Sequence, residues 1–156
     1  MSRLEVPLKH RTLYATGDIL LRAELTLLLK DAAGIWHKET FRVDSGSEIT
    51  TLPAYRAKKL GLPLPQHSAR GALHHPTGLE IRSGYLRVAV PGLDTTEYVF
   101  PCFFLGDLDA APPLGPPASV PRNLLGLSGV IDQLLIYCDG TPSPAAIHGN
   151  LIVETK

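Results

Sequence analysis

Apolar side chains recur at every second position between Leu21 and Leu29, and the first positions between them carry charged or hydroxyl side chains. This period of two is typical of a half-buried β-strand. The sequence Asp-Ala-Ala-Gly follows as a turn, and a second apolar run returns over residues 35–43. The pattern therefore predicts a β-hairpin whose second strand ends immediately before Asp44.

The rest of the chain divides into short segments because Pro and Gly interrupt it repeatedly. Pro53 and Gly61 bracket a predicted short helix over residues 53–60. Residues 106–122 are rich in proline and predict a long loop. Further strands are expected within residues 1–17, 68–73, 79–90, 95–105, 134–138 and 147–155, with another short helix beginning near Ser128. The predicted fold class is all-β, with one or two short helices.

Composition fits a single domain over residues 1–156, because this length supplies one core and is short for two. The 15 basic and 15 acidic residues cancel, so no nucleic-acid or anionic-membrane partner is expected. No leader and no apolar run near 20 residues is present, which predicts a soluble, cytoplasmic protein. Cys102 and Cys138 are too few for a disulfide framework, and we expect buried thiols.

Asp44 is the candidate for chemistry because it follows a β-branched and aromatic run and precedes a glycine. Gly46 permits a sharp turn and a close backbone approach, and the hydroxyls of Ser45 and Ser47 can hold the carboxylate or nearby amides. The end of the strand would then hold this carboxylate in a fixed direction. An ordinary turn leaving the core is the simpler interpretation of Asp-Ser-Gly alone.

The flanking sequence resembles the retropepsin-like aspartic proteases. Their signature is an apolar strand, Asp-Thr/Ser-Gly-Ala/Ser, a hydroxyl-rich stretch and a Leu before a short helix, and residues 41–53 fit it. A second family mark is an apolar strand ending in Leu-Leu-Gly or Ile-Leu-Gly, which residues 123–126 match with Asn-Leu-Leu-Gly. The short helix and last apolar strand of that mark correspond to residues 127–137. The resemblance covers approximately residues 18–139.

The resemblance implies a closed β-barrel of the retropepsin-like acid protease type and an aspartic endopeptidase without metal or cofactor. One Asp cannot both accept and give the protons of peptide hydrolysis, so a homodimer would place Asp44 opposite its copy. The two carboxylates would share one proton, and activity would peak in acid. Ser45 would reach the facing loop, Gly46 would donate an amide to the carboxylate, and a last strand at 147–155 would help join the subunits.

The same resemblance places a mobile flap at residues 72–80. A flap is a hairpin that closes over an extended peptide or protein substrate and excludes water. Its predicted substrate-binding tip consists of His74, His75, Pro76, Thr77 and Gly78.

The sequence departs from the family at Leu127 and Ser128, where many members carry Arg or Met and then Asp. A subunit-clamping ion pair cannot form there, which leaves three alternatives open: a weak dimer, a dimer activated by acid or by trimming, or a dimer formed differently. It also keeps open a second hypothesis, a peptide-binding module that uses the same barrel without hydrolysis. A third hypothesis is a small metal-dependent hydrolase using His74, His75 and Asp44, although two adjacent histidines without a third ligand are more typical of a polar turn.

Overall fold

The computed structural model describes residues 1–65, 73–74, 80–109 and 123–156, with only the backbone at 73–74. The strands are β1 (Arg3–Pro7), β2 (Lys9–Thr12), β3 (Ile19–Arg22), β4 (Glu24–Lys30), β5 (Trp36–Val43), β6 (Thr50–Pro53), β7 (Leu73–His74), β8 (Glu80–Ala89), β9 (Tyr98–Leu105), β10 (Leu124–Leu125), β11 (Leu134–Asp139) and β12 (Asn150–Thr155), and the helix is α1 (Ala54–Lys59). The prediction of a mainly β chain with a short helix is confirmed. Among these residues, no helix is long and apolar enough to cross a membrane.

The largest sheet has seven strands in the order β4-β5-β10-β6-β9-β8-β7, and β4 also pairs with β8. Six of these strands therefore form a hydrogen-bonded ring. Pairing is parallel between β5 and β10 and between β6 and β9, and antiparallel elsewhere in this sheet. The alternating leucines of β4 and Phe41 of β5 are fully buried, as the period of two predicts. Burial on this scale holds the end of β5 rigidly.

A second sheet places β12 between β1 and β11, with antiparallel pairing on both sides. Leu151, Ile152 and Val153 are buried along it. Both edges of β12 are thus occupied by strands of the same chain along its whole length. The last strand cannot pair through its backbone with a second subunit while this sheet is intact.

The single strand predicted over Leu21 to Leu29 is in fact two strands, because the chain leaves the large sheet before Ala23. Residues 19–22 pair with β2 in a separate two-stranded sheet, and Leu21 is 49% exposed. Alternation alone did not distinguish a core strand from its extension beyond the core. The strand predicted over 68–73 lies outside the described residues except for Leu73. Residues 110–122 of the proline-rich segment also lie outside them.

The prediction of a second short helix beginning near Ser128 is also wrong. The backbone forms hydrogen-bonded turns there, with Leu127 O accepting from Val130 and Ile131. Gly129 has φ of 72°, far from the value near −63° of a helix. Glycine adopts this conformation readily, and the turn brings its Cα close to Pro101.

The two cysteines lie in different environments, and both are free thiols. Cys102 is buried in β9, and burial raises the pKa of its thiol. Cys138 is exposed in β11, so the prediction of a buried thiol is wrong there. Position 138 falls near the end of an edge strand, which the sequence pattern did not reveal.

We expect a thiol reagent near pH 8 to modify one cysteine per native chain quickly and the second only after denaturation. The thiolate is the reactive form, and Cys102 is both inaccessible and held in its protonated form. Counting modified thiols by mass spectrometry, with Cys138→Ser as the control, checks this. Rapid modification of native Cys138→Ser would contradict the burial of Cys102.

The turn between β4 and β5 is organised by the carboxylate of Asp31. It accepts hydrogen bonds from the amides of Ala33 and Ile35, and His37 Nε2 lies 2.8 Å away. The hydrogen bond to His37, followed by those from the two amides, lowers the pKa of Asp31 below its ordinary value. The turn predicted from Asp-Ala-Ala-Gly is therefore stabilised by an ionised side chain.

We expect the free energy of unfolding to fall as the pH drops below about 4, and Asp31→Asn to reduce this dependence. A carboxyl group whose folded-state pKa is lowered stabilises the fold above its ordinary, unfolded-state pKa of 3.8, and loses that contribution as the pH falls through the folded-state pKa. Thermal unfolding from pH 6 to pH 2.5 measures the slope, and the exposed Asp132→Asn is the matched control. Equal slopes for both variants would exclude this role for Asp31.

Candidate functional site

Asp44 lies at the carboxyl end of β5, one residue past the last paired position. Its backbone N–H donates to Leu125 O at 3.1 Å, which extends the parallel pairing of β5 with β10. The side chain is partly buried. Because Phe41, three residues earlier, is fully buried, the carboxylate projects from a fixed strand end.

The loop that follows is a tight turn closed on Asp44 itself. The amide of Gly46 donates to Asp44 Oδ1 at 3.0 Å, and the amide of Ser47 donates to Asp44 O at 3.1 Å. Ser47 Oγ donates to Ile49 O at 2.9 Å, so this hydroxyl holds the loop backbone rather than the carboxylate. Ser45 is exposed at the tip. A backbone amide therefore fixes the orientation of one carboxylate oxygen.

Backbone hydrogen bonds join this loop to the segment after β10. Leu127 N–H donates to Ser47 O at 3.0 Å, and Ser128 N–H donates to Glu48 O at 2.7 Å. The two positions that depart from the family pattern thus act here through their amides, which any residue except proline supplies.

Gly126 brings the two segments into contact. A Cβ at this position would lie 2.4 Å from Ile49 C and 2.6 Å from Ile49 O, so only glycine fits. Its amide donates to Thr50 Oγ1 at 3.2 Å, and Thr50 is fully buried. The glycine of the Leu-Leu-Gly mark is explained by this close backbone approach.

A partly buried ion pair supports the same region, and the sequence pattern did not predict it. Glu39 of β5 is 8% exposed, and its Oε1 accepts from Arg56 Nε of α1 at 2.8 Å. Its Oε2 accepts from Asn123 Nδ2 at 3.1 Å. Asn123 O in turn accepts the amide of Arg42 at 3.0 Å. The available signal was the position of Glu39, on the same face of its strand as Phe41.

The predicted flap is described only in part. β7 pairs with β8 in antiparallel fashion, with Leu73 opposite Ile81 and His74 opposite Glu80. His75, Pro76, Thr77 and Gly78 lie outside the described residues. The roles assigned to these residues and to His74 stay predictions.

A metal site has no support in the part of the chain that the structure describes, where no group of three His, Cys, Asp or Glu side chains could hold an ion. His75 is outside that part, and the side chain of His74 is not described. The absence of a metal therefore stays a prediction.

The chain is similar to a retropepsin-like aspartic protease from Rickettsia conorii, with 18% sequence identity and a TM-score of 0.47 over 96% of this chain and 99% of that one. No protein-family model matches the sequence. No curated protein matches it either.

Proposed function

We propose that the chain is an aspartic endopeptidase in which Asp44 and its copy in a homodimer activate water. The observation that carries the proposal is the Asp44 loop. A partly buried carboxylate stands at the end of a buried strand, one oxygen bound by the Gly46 amide, within a turn held by the segment after β10. The two sequence marks on which the family resemblance rests meet here through hydrogen bonds.

The chemistry requires the second copy because the described residues bring no other carboxylate into hydrogen-bond contact with Asp44. Two carboxyl groups about 3 Å apart share one proton, as in aspartic proteases generally. The ionised group takes a proton from water while the protonated one gives its proton to the substrate carbonyl oxygen. The rigid turn keeps Asp44 in place, and the exposed Ser45 lies at the tip, where it can meet the facing loop.

The closed barrel and the flap belong to the same proposal. The pairing of β4 with β8 supports a closed arrangement of strands, and the pairing of β7 with β8 supports a hairpin leading to the tip at residues 75–78. A peptide or protein substrate would bind extended between that tip and the Asp44 pair, with its side chains alternating in direction. A single domain and a cytoplasmic location remain expectations of this proposal.

The test is cleavage of a diverse peptide mixture from pH 3 to pH 7, with the chain at several concentrations. A dimeric site predicts activity that rises with the square of chain concentration where monomer predominates, and that is greatest in acid. Metal chelators should have no effect. Activity that persists unchanged per chain at high dilution would contradict a site shared between weakly associated copies.

A second candidate is a peptide-binding module on the same fold. The observation that favours it is the single Asp44 per chain together with Leu127 and Ser128 in place of the family's clamping residues. A chain that binds extended peptides but is monomeric at high concentration across pH 4 to 7 would fit this candidate.

A further inference from the structure

The hairpin of β2 and β3, here called the arm, contributes no residue to the hydrophobic core. All four residues of β2 are exposed, and Ile19, Leu20 and Leu21 of β3 are 51%, 43% and 49% exposed. An isolated two-stranded hairpin is marginally stable in water, and three consecutive apolar residues on an exposed strand favour addition of another strand.

The outer edge of β3 is free within the described residues. The amide of Leu13 donates to Asp18 O, which makes these two a hydrogen-bonded pair in the register of β2 with β3. Hydrogen-bonded and non-hydrogen-bonded pairs alternate in antiparallel strands. Ile19 and Leu21 therefore direct their N–H and C=O groups outward, away from β2, where a further strand can bind them.

The sequence of β3 complements itself in one antiparallel register. With Leu20 opposite its own copy, Ile19 lies opposite Leu21 and Asp18 lies opposite Arg22, each twice by symmetry. This register also places the outward-facing Ile19 and Leu21 as hydrogen-bonded pairs. Shifting it by two residues either way keeps the hydrogen bonds but sets Leu20 against Asp18 or against Arg22. Opposite charges and apolar pairs across strands are stabilising, so the unshifted register is favoured.

The charges at the two ends of β3 have no ion-pair partner within the described part of the chain. Arg22 lies opposite Lys9, an unfavourable like-charge pair, and Lys9 bonds instead to Glu24. The Asp18 side chain makes no hydrogen bond or ion pair with the described residues. A second copy would supply each of these charges with its complement.

The arm also leaves the large sheet at the level of the candidate site. Glu24 lies opposite Arg42, and Ala23 O accepts the amide of Val43 at 2.9 Å. Arg22, the last residue of the arm, precedes Ala23 in the chain, and Val43 precedes Asp44, so the arm joins the large sheet close to the candidate site. Since both edges of β12 are paired within the chain, the free edge of the arm is the better place for a second copy to add a strand.

We propose that the arm is the interface between two copies of this chain, with β3 paired to β3 of the partner around Leu20. The contact joins two hairpins into a four-stranded sheet and holds the second copy beside the edge that carries Asp44. The dimer contact is inferred from the residues of the arm alone. The further claim that this contact brings the two Asp44 side chains together rests on the proposed function.

Cross-linking tests the register directly. Leu20→Cys in a Cys138→Ser background should form a covalent dimer under mild oxidation, because residues directly opposite in a non-hydrogen-bonded pair lie about 4.5 Å apart at Cα, within disulfide range. Leu21→Cys is the matched control, since its two copies would be roughly 8 Å apart. Equal cross-linking at both positions, or none at position 20, would overturn the register.

Exchanging the charges of β3 tests the same register without cysteines, with dimerisation of the native protein measured by sedimentation. Asp18→Arg and Arg22→Asp should each weaken the dimer at least about tenfold, because each sets like charges opposite one another twice. Mixing the two variants, or combining them in one chain, should restore dimerisation. The proposal would be overturned if the single variants dimerise as well as wild type, or if neither the mixture nor the double variant restores dimerisation. Arg22→Asp also removes the repulsion from Lys9 inside the arm, so its effect is not explained by unfolding of the hairpin.

These results are separable from the proposed activity. If the chain dimerises through the arm but cleaves no peptide, the peptidase proposal fails and the arm contact stands. If wild type cleaves peptides while the arm variants remain dimers and keep their activity, the arm proposal fails and the peptidase proposal stands.

Discussion

Asp44→Asn is expected to lower kcat/KM for peptide cleavage by at least about 10³-fold while leaving the unfolding temperature nearly unchanged. General acid–base catalysis typically contributes 10²–10⁴-fold, and an amide can neither take a proton from water nor give one to the carbonyl. The fold should tolerate the change because Asn keeps an oxygen that can accept the Gly46 amide at the position of Asp44 Oδ1. Initial rates with a cleaved peptide, together with thermal unfolding, check both parts.

Glu48→Gln is the matched control, since Glu48 is an exposed acid in the same loop and its role is to accept the Ser128 amide through its backbone. It should retain wild-type activity. Adding excess Asp44→Asn to wild type should also reduce activity, because mixed dimers carry one functional carboxylate. Retained cleavage by Asp44→Asn alone would remove Asp44 from the chemistry.

Gly126→Ala is expected to destabilise the protein by roughly 3 kcal/mol or more and to abolish activity. The new methyl group would meet the backbone of Ile49 and the amide of Thr50 at 2.4 to 2.7 Å, and backbone cannot rotate away as a side chain can. Relief of the contact would separate β10 from β6 and disturb the amides of Leu127 and Ser128 that hold the Asp44 loop. Denaturant unfolding measures the loss.

Gly140→Ala is the control for this substitution, since a Cβ there meets nothing within 4 Å and the residue does not have positive φ. We expect it to change stability by less than about 0.5 kcal/mol. Similar stabilities for the two variants would contradict the close approach described at Gly126.

The sequence predicts the strands of the core better than the supports of the site. Alternation identified β4 and β5 because one face of each is buried, and the breakers located α1 between Pro53 and Gly61. The same alternation continued into β3, where no core lies beneath it. A period reports which residues share a face, and does not say what that face contacts.

The support behind the site was harder to predict because its members are far apart in sequence. Glu39, Arg56 and Asn123 lie on β5, on α1 and just before β10, and meet only after the ring of strands has formed. Gly126 was recognised as part of a motif, but the requirement for glycine there comes from the backbone of Ile49, far earlier in the chain, and becomes visible only in the structure. Side chains that act over such separations leave no local periodicity.

The pairing of β5 with β10 and of β1 with β12 sets an order of events during folding. Asp44 is synthesised early, but the carbonyl that holds its amide belongs to Leu125, and β1 waits for β12 near residue 150. Contacts between distant segments form slowly because the chain must first close long loops. During synthesis the strands β4 and β5 emerge together as neighbours in sequence, while the loop after them acquires its final shape only once the last third of the chain is present.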